Sequence, residues 1–186
     1  IFLTIKQIKK METFNFITYC FCILVIICLE KVGIISNRKI NIITIKQGSS
    51  LIKNSINSND KTIWFHCASL GEYEQGFPLF IEIKKKYPNH KLVLSFFSPS
   101  GYEVKKANSI ADVIVYLPID TKDNCENFLD LIRPEIVVFI KSEIWPNYLN
   151  EIKKRNIKSI LVCAIYNSSQ MKYGLLKKAV LKFNYI

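Results

Sequence analysis

From residue 61 onward, short apolar runs rich in β-branched residues alternate with stretches whose apolar positions recur every three or four residues. The runs KTIWFHCAS (61–69), KLVLSFF (91–97), ADVIVYLP (111–118), EIVVFI (135–140) and KSILVCAIY (158–166) read as strands. Between them, helices are expected from Gly71 to near KKKYPN (84–89), over YEVKKAN (102–108), over TKDNCENFLDLI (121–132) and over YLNEIKKRN (148–156). SPSG (98–101) reads as a turn, and KSEIWPN (141–147) as a loop leading into the last helix. The strands lack a regular polar face, so both sides of the sheet must be covered. Strictly alternating strands and helices then imply a parallel α/β sheet with helices on both faces, a Rossmann-like arrangement.

The pattern changes upstream. Residues 14–29, FNFITYCFCILVIICL, carry no charge, with Lys6, Lys9 and Lys10 before them and Lys31, Arg38 and Lys39 after. Sixteen residues fall short of the ~20 that a comfortable membrane span needs. No small-residue cleavage site follows, as a signal peptide would require. The expectation is a membrane-seating helix within a basic and apolar segment (1–39), a polar linker (40–60) and a Rossmann-like domain (61–186). A buried core helix is the plainer alternative for the apolar run. The first methionine is Met11, so residues 1–10 read as lying upstream of a natural start. The closing KKAVLKFNYI breaks off in what reads as a new strand, so the domain is expected to be incomplete.

Composition narrows the partners. The 186 residues are 49% hydrophobic, enough for one domain with a real core. Lys and Arg outnumber Asp and Glu by 26 to 15, a formal charge of +11 that favours an anionic membrane face or a phosphorylated ligand. The heavy use of Ile, Lys and Asn also fits an AT-biased genome, which weakens that inference. A nucleic-acid partner is not expected, because no basic stripe interleaved with aromatics is present. The six cysteines form no CxxC pair, and with two isolated histidines they supply no metal-ligand spacing. Reduced, buried thiols are expected, and neither metal nor cofactor.

Known chemistries can be set aside by motif. No GxGxxG follows the first strand, no GxxxxGK[ST] occurs, and no GxSxG stands near His66 or His90. What remains are the loops after the strands, SLGE (69–72), SPSG, KSEIWPN and NSSQ (167–170), which a parallel sheet brings to its carboxyl edge, where ligands bind. Glu72 falls at a strand-to-helix turn, where the helix dipole favours the ionised form and hence a base. Position alone leaves open whether it is an ordinary first-turn residue, the commoner case, or a working group.

HCASLGEYEQGFPL, SFFSPSGYEVKK, YLPIDTKDN, FLDLIRPEIVVFIKSEIWPNYLNEIKKRNI and LVCAIYNSSQ together resemble the amino-terminal domain of the 3-deoxy-D-manno-octulosonic acid (Kdo) transferase family, from about residue 61 to about 183. The resemblance implies the acceptor-side half of a GT-B glycosyltransferase that moves Kdo from CMP-Kdo to the lipid A precursor. That reaction is inverting and metal-independent, and is carried out at the cytoplasmic face of the bacterial inner membrane. It implies Glu72 as the base. It suggests Ser69, Gly71, Ser98, Ser100 and Gly101 as acceptor-binding residues, and Glu143 as a further catalytic residue beside Trp145, Pro146 and Asn147. Two positions depart from the family pattern. Lys141 stands where many members carry an acidic transition-state stabiliser, and Asn167 where relatives commonly carry Arg. Nothing in the chain matches the CMP-Kdo-binding domain, so the chain alone is not expected to turn over. The alternative is a non-catalytic, membrane-associated module that binds an anionic lipid or nucleotide sugar.

Overall fold

The computed structural model describes residues 37–141, 144–163 and 183. The apolar run 14–29, Glu143 and Asn167 lie outside them. The chain divides into two compact units, Ile1–Ile42 and Ile43–Ile186, and the parallel sheet belongs to the second. The described elements in chain order are α1 (Asn37–Ser55), β1 (Thr62–Cys67), α2 (Leu70–Lys86), β2 (Lys91–Phe96), α3 (Pro99–Lys105), β3 (Val113–Tyr116), α4 (Lys122–Ile132), β4 (Pro134–Ile140), α5 (Pro146–Lys154) and β5 (Lys158–Val162).

The five strands form one sheet in the order β3-β2-β1-β4-β5, and every neighbouring pair is parallel. This is the predicted Rossmann-like architecture. β1 is central, and all six of its residues are buried. Ile63, Phe65 and Cys67 join one core with Tyr73 and Phe80 of α2. Trp64 turns to the opposite core with Ile52 of α1, Phe128 and Leu129 of α4, and Tyr148 and Ile152 of α5. Alternation along a strand buried on both sides thus sends neighbouring residues into two separate cores.

Two segments differ from their expected form. Residues 40–60, expected as a linker, carry α1 over most of their length. Ile52 and Ile56, four apart, are both buried, so tertiary packing of one apolar stripe outweighs the turn-forming Ser and Asn around it. SPSG, expected as a turn, opens α3 instead. Ser98 is the N-cap and accepts the Ser100 N–H at 3.3 Å, while Pro99 sits at the first helical position, where its missing N–H costs nothing. Among the described residues no helix is long and apolar enough to cross a membrane.

One polar tie organises the sheet's carboxyl edge. The Asp120 carboxylate, in the loop after β3, accepts the backbone N–H groups of Asn147 (3.2 Å) and Tyr148 (3.1 Å). The Asn147 side-chain amide donates back to the Asp120 carbonyl at 2.7 Å, and the Tyr148 hydroxyl donates to the Pro118 carbonyl at 3.1 Å. Trp145, the N-cap of α5, makes no side-chain capping bond, so Asp120 caps the helix from a distance. Asp120→Ala is therefore expected to lower stability by about 1–2 kcal/mol, with Asp120→Asn losing less. Urea unfolding midpoints of the three proteins check this.

Candidate functional site

The strand order reverses at β1. The chain proceeds outward through β2 and β3, then returns to place β4 on the other side of β1. The carboxyl ends of β1 and β4 are thus the topological switch point, the usual ligand position in such sheets. The loop after β1 leads into α2, and the helix begins with Ser69 as its N-cap in extended conformation. Ser69 makes no side-chain capping bond.

Glu72 occupies the third helical position and folds back, its Oε2 accepting the Ala68 backbone N–H at 2.5 Å. This is the carboxylate half of a capping box, without the serine half. A residue doing only that job is normally exposed, yet Glu72 retains 8% of its accessible surface. Burial is the largest influence on its carboxyl and raises its pKa above the usual value. The backbone N–H of Ala68, the positive charge of Lys141 and the backbone N–H of Ser69 oppose that rise. The sequence argument put the helix dipole first and favoured easy ionisation, whereas desolvation dominates here. A raised value is the better match for a group that must hold and release a proton near neutrality.

The helix is brought close to the sheet by Gly76, one turn beyond Glu72. A Cβ there would lie 2.8 Å from the Phe80 ring and 2.9 Å from Ile140 Cδ1. Gly71 is the opposite case. It is exposed, and a Cβ would meet nothing within 4 Å, so open space lies over the helix start beside Glu72.

The other predicted residues lie along the same edge. The Ser98 N–H donates to the Ala68 carbonyl at 2.8 Å, fastening the loop after β2 to the loop after β1. The Ser98 and Ser100 hydroxyls are 3.0 Å apart. Gly101 is buried, and a Cβ would lie 2.1 Å from the Phe96 ring, so close packing of α3 on β2 accounts for glycine there. Lys141 terminates β4 with a left-handed backbone (φ 67°), and its N–H donates to the Val162 carbonyl at 2.7 Å.

Three arrangements at the edge were not foreseen from the sequence, although His66 and Trp145 were named there. Asp120, described above, is one. Another is the buried His66, whose Nδ1 lies 2.9 Å from the Ser95 hydroxyl, which also receives the Trp64 indole N–H at 2.8 Å. Burial pushes His66 down to about 3, which keeps it neutral at physiological pH. The third is an aromatic stack: Trp145 meets His66 edge-on (ring centroids 5.3 Å apart) and Phe97 at 5.1 Å, and Phe97 is partly exposed. Among the described residues no group of three or more His, Cys, Asp or Glu side chains could hold a metal ion.

The profile of the 3-deoxy-D-manno-octulosonic-acid transferase (kdotransferase) family matches residues 43–184. A bifunctional glycosyltransferase/methyltransferase of Fusobacterium nucleatum is 32% identical over 125 residues, covering 64% of this chain and 19% of that protein. 3-Deoxy-D-manno-octulosonic acid transferases of Haemophilus influenzae and Aquifex aeolicus are each 30% identical. They match over 117 and 127 residues, covering 62% and 68% of this chain and 27% and 34% of theirs. The chain thus spans roughly a fifth to a third of the length of these relatives. On the match of fold, motifs and profile together, the chain belongs to the Kdo transferase family.

Proposed function

We propose that this chain forms the acceptor-side half of a glycosyltransferase that moves Kdo from CMP-Kdo to the lipid A precursor, with Glu72 as general base. The observation that carries the reading is a buried carboxylate at the β1/β4 reversal, with open space over the adjoining Gly71. The Glu72 carboxylate takes the proton of an acceptor hydroxyl as that oxygen bonds to the Kdo anomeric carbon from the side opposite the leaving group. CMP departs with the electrons of the broken carbon–oxygen bond, and the anomeric centre inverts. Ser69, Gly71, Ser98 and Ser100 line the acceptor's approach, with the serine hydroxyls suited to sugar or phosphate oxygens, whereas Gly101, expected there from the sequence, is buried against Phe96 and serves packing. Lys141 offers positive charge where phosphate departs, and the family resemblance gives Glu143 a further catalytic role. No metal or cofactor enters this scheme.

The donor, CMP-Kdo, is held by a second domain facing this edge in the complete enzyme. The basic and apolar segment 1–39 seats the protein on the cytoplasmic face of the bacterial inner membrane, beside its lipid acceptor. The second reading is a non-catalytic module that binds an anionic lipid or nucleotide sugar. It draws on Lys141, which stands at the position of the family's acidic stabiliser.

A protein that joins this chain to a CMP-Kdo-binding domain tests the base. Glu72→Gln keeps the shape of the side chain but cannot accept a proton, so turnover is expected to fall about 10²–10⁴-fold with acceptor affinity nearly unchanged. Glu74, paired with Lys105 at 2.9 Å, points to a different partner, and Glu74→Gln is expected to leave turnover close to the parent. Near-normal turnover in Glu72→Gln would return Glu72 to a capping role and favour the non-catalytic module.

The same substitution has a signature in stability. The folded Glu72 carboxyl keeps its proton to higher pH than the unfolded one, whose usual value is 4.5. Its contribution to stability is therefore full below that value and is lost as pH rises through the raised folded one. Glu72→Gln removes this loss. Its melting temperature relative to the parent is expected to rise between about pH 4 and about pH 8, as thermal melts at both ends of the range will show.

Membrane seating predicts salt-sensitive attachment. The chain is expected to bind vesicles containing bisphosphorylated lipid A precursor more tightly than neutral phosphatidylcholine vesicles, with the difference shrinking as salt rises. Equal flotation with both vesicle types at low salt would remove the electrostatic part of the reading.

A further inference from the structure

We infer that Phe97 is a stacking platform for a sugar ring of the acceptor, an assignment that rests on the proposed function for its class of ligand. Phe96 ends β2, and Phe97 follows it to the opposite side. Phe96 is buried, with its ring 6.0 Å from that of Tyr73. Phe97 keeps 39% of its surface accessible. Leu51, Val104 and Ile119 are exposed to a similar degree or more, and single apolar side chains of this kind are ordinary on a protein surface. Phe97 is set apart by how firmly it is held.

Both peptide groups that flank Phe97 are hydrogen-bonded to the ends of neighbouring strands. The Phe96 carbonyl accepts the Leu117 N–H at 2.7 Å, just after β3, and the Ser98 N–H donates to the Ala68 carbonyl at 2.8 Å, just after β1. The ring itself meets Trp145, the N-cap of α5, edge-on at 5.1 Å, and Trp145 rests in turn on the buried His66. An accessible apolar ring fixed from three elements is preorganised, so little ordering cost remains when a ligand arrives.

The neighbours of Phe97 select the ligand. Ala68, whose carbonyl holds the Ser98 N–H, gives its own N–H to the Glu72 carboxylate, so one residue ties the ring's backbone to the candidate base. The Ser98 and Ser100 hydroxyls, 3.0 Å apart, come next along the chain. A pyranose chair carries C–H bonds on its faces and hydroxyls around its rim. An aromatic ring suits the faces and hydroxyls suit the rim, whereas an acyl chain would use only the ring.

The full chain in zwitterionic detergent, titrated with the bisphosphorylated disaccharide of the lipid A precursor freed of its acyl chains, tests this by proton NMR of the sugar. The ring C–H signals are expected to move upfield on binding, as stacking over an aromatic ring requires. Phe97→Ala is expected to weaken binding about three- to tenfold and to remove the upfield shift. Phe97→Tyr should keep both, and Phe97→Leu, apolar but without a ring, should lose the shift. Leu51→Ala, on α1, should match the parent. Absence of binding by the parent chain, or an unchanged affinity and shift in Phe97→Ala, overturns the inference. So does an effect of Phe97→Ala seen with the fully acylated precursor but not with the disaccharide, which would mark an acyl-chain contact. Sugar binding indifferent to Phe97, with turnover still dependent on Glu72, would remove the platform and leave the base standing. Stacking on Phe97 with turnover indifferent to Glu72 would do the reverse.

Discussion

Burial of β1 on both faces and hydrogen bonding along both of its edges is the constraint from which the carboxyl edge follows. A six-residue strand with no exposed residue admits no slip, because a shift of one residue would exchange Ile63, Phe65 and Cys67 with Thr62, Trp64 and His66 between two differently shaped cores. The end of β1 is thereby set against the ends of β2 and β4, and the loops that follow inherit their spacing from it. Trp64 adds to this: its ring packs edge-on against Phe128 and Phe139, and its N–H is held by Ser95. A single indole thus joins a helix, two neighbouring strands and the polar pair beneath the site.

Glu72 shows how one side chain serves structure and chemistry together. Its bond to the Ala68 N–H is one that a first-turn glutamate commonly makes, and it supplies an orientation that a reacting carboxylate would otherwise lack. Its burial has no benefit for capping, since an exposed carboxylate caps equally well. The part of the arrangement that capping does not explain is therefore desolvation, and desolvation gives a carboxyl group a tuned affinity for protons.

The strands and most helices were legible because their signals are local: runs of Val, Ile and Leu for β2 to β5, and a three-to-four periodicity for α4 and α5. The linker reading of residues 40–60 failed to show α1 because its polar residues outnumber the two isoleucines that hold it, and only the folded core makes those two decisive. The start of α3 was misplaced because Ser-Pro-Ser-Gly suits a turn and a helix N-terminus equally, and Ser98 resolves it by capping. At the site, Glu72 stood out through its loop, whereas Asp120 did not. Its partners Asn147 and Tyr148 lie more than twenty residues away, a separation at which sequence carries no sign of contact. His66 was dismissed as a nucleophile's partner for want of a motif, and its burial in a neutral form gives it a supporting place under Trp145 instead.

The tie from Asp120 to the start of α5 divides the carboxyl edge mechanically. On that side, the loop after β3 and the helix after β4 are joined by backbone and side-chain bonds in both directions, so neither shifts without the other. On the α2 and α3 side, the Ser98 N–H to Ala68 carbonyl bond joins the loops, and Gly71 faces open space. A change at Asp120 would therefore reach two elements of the edge together, whereas a side chain added at Gly71 would meet no neighbour.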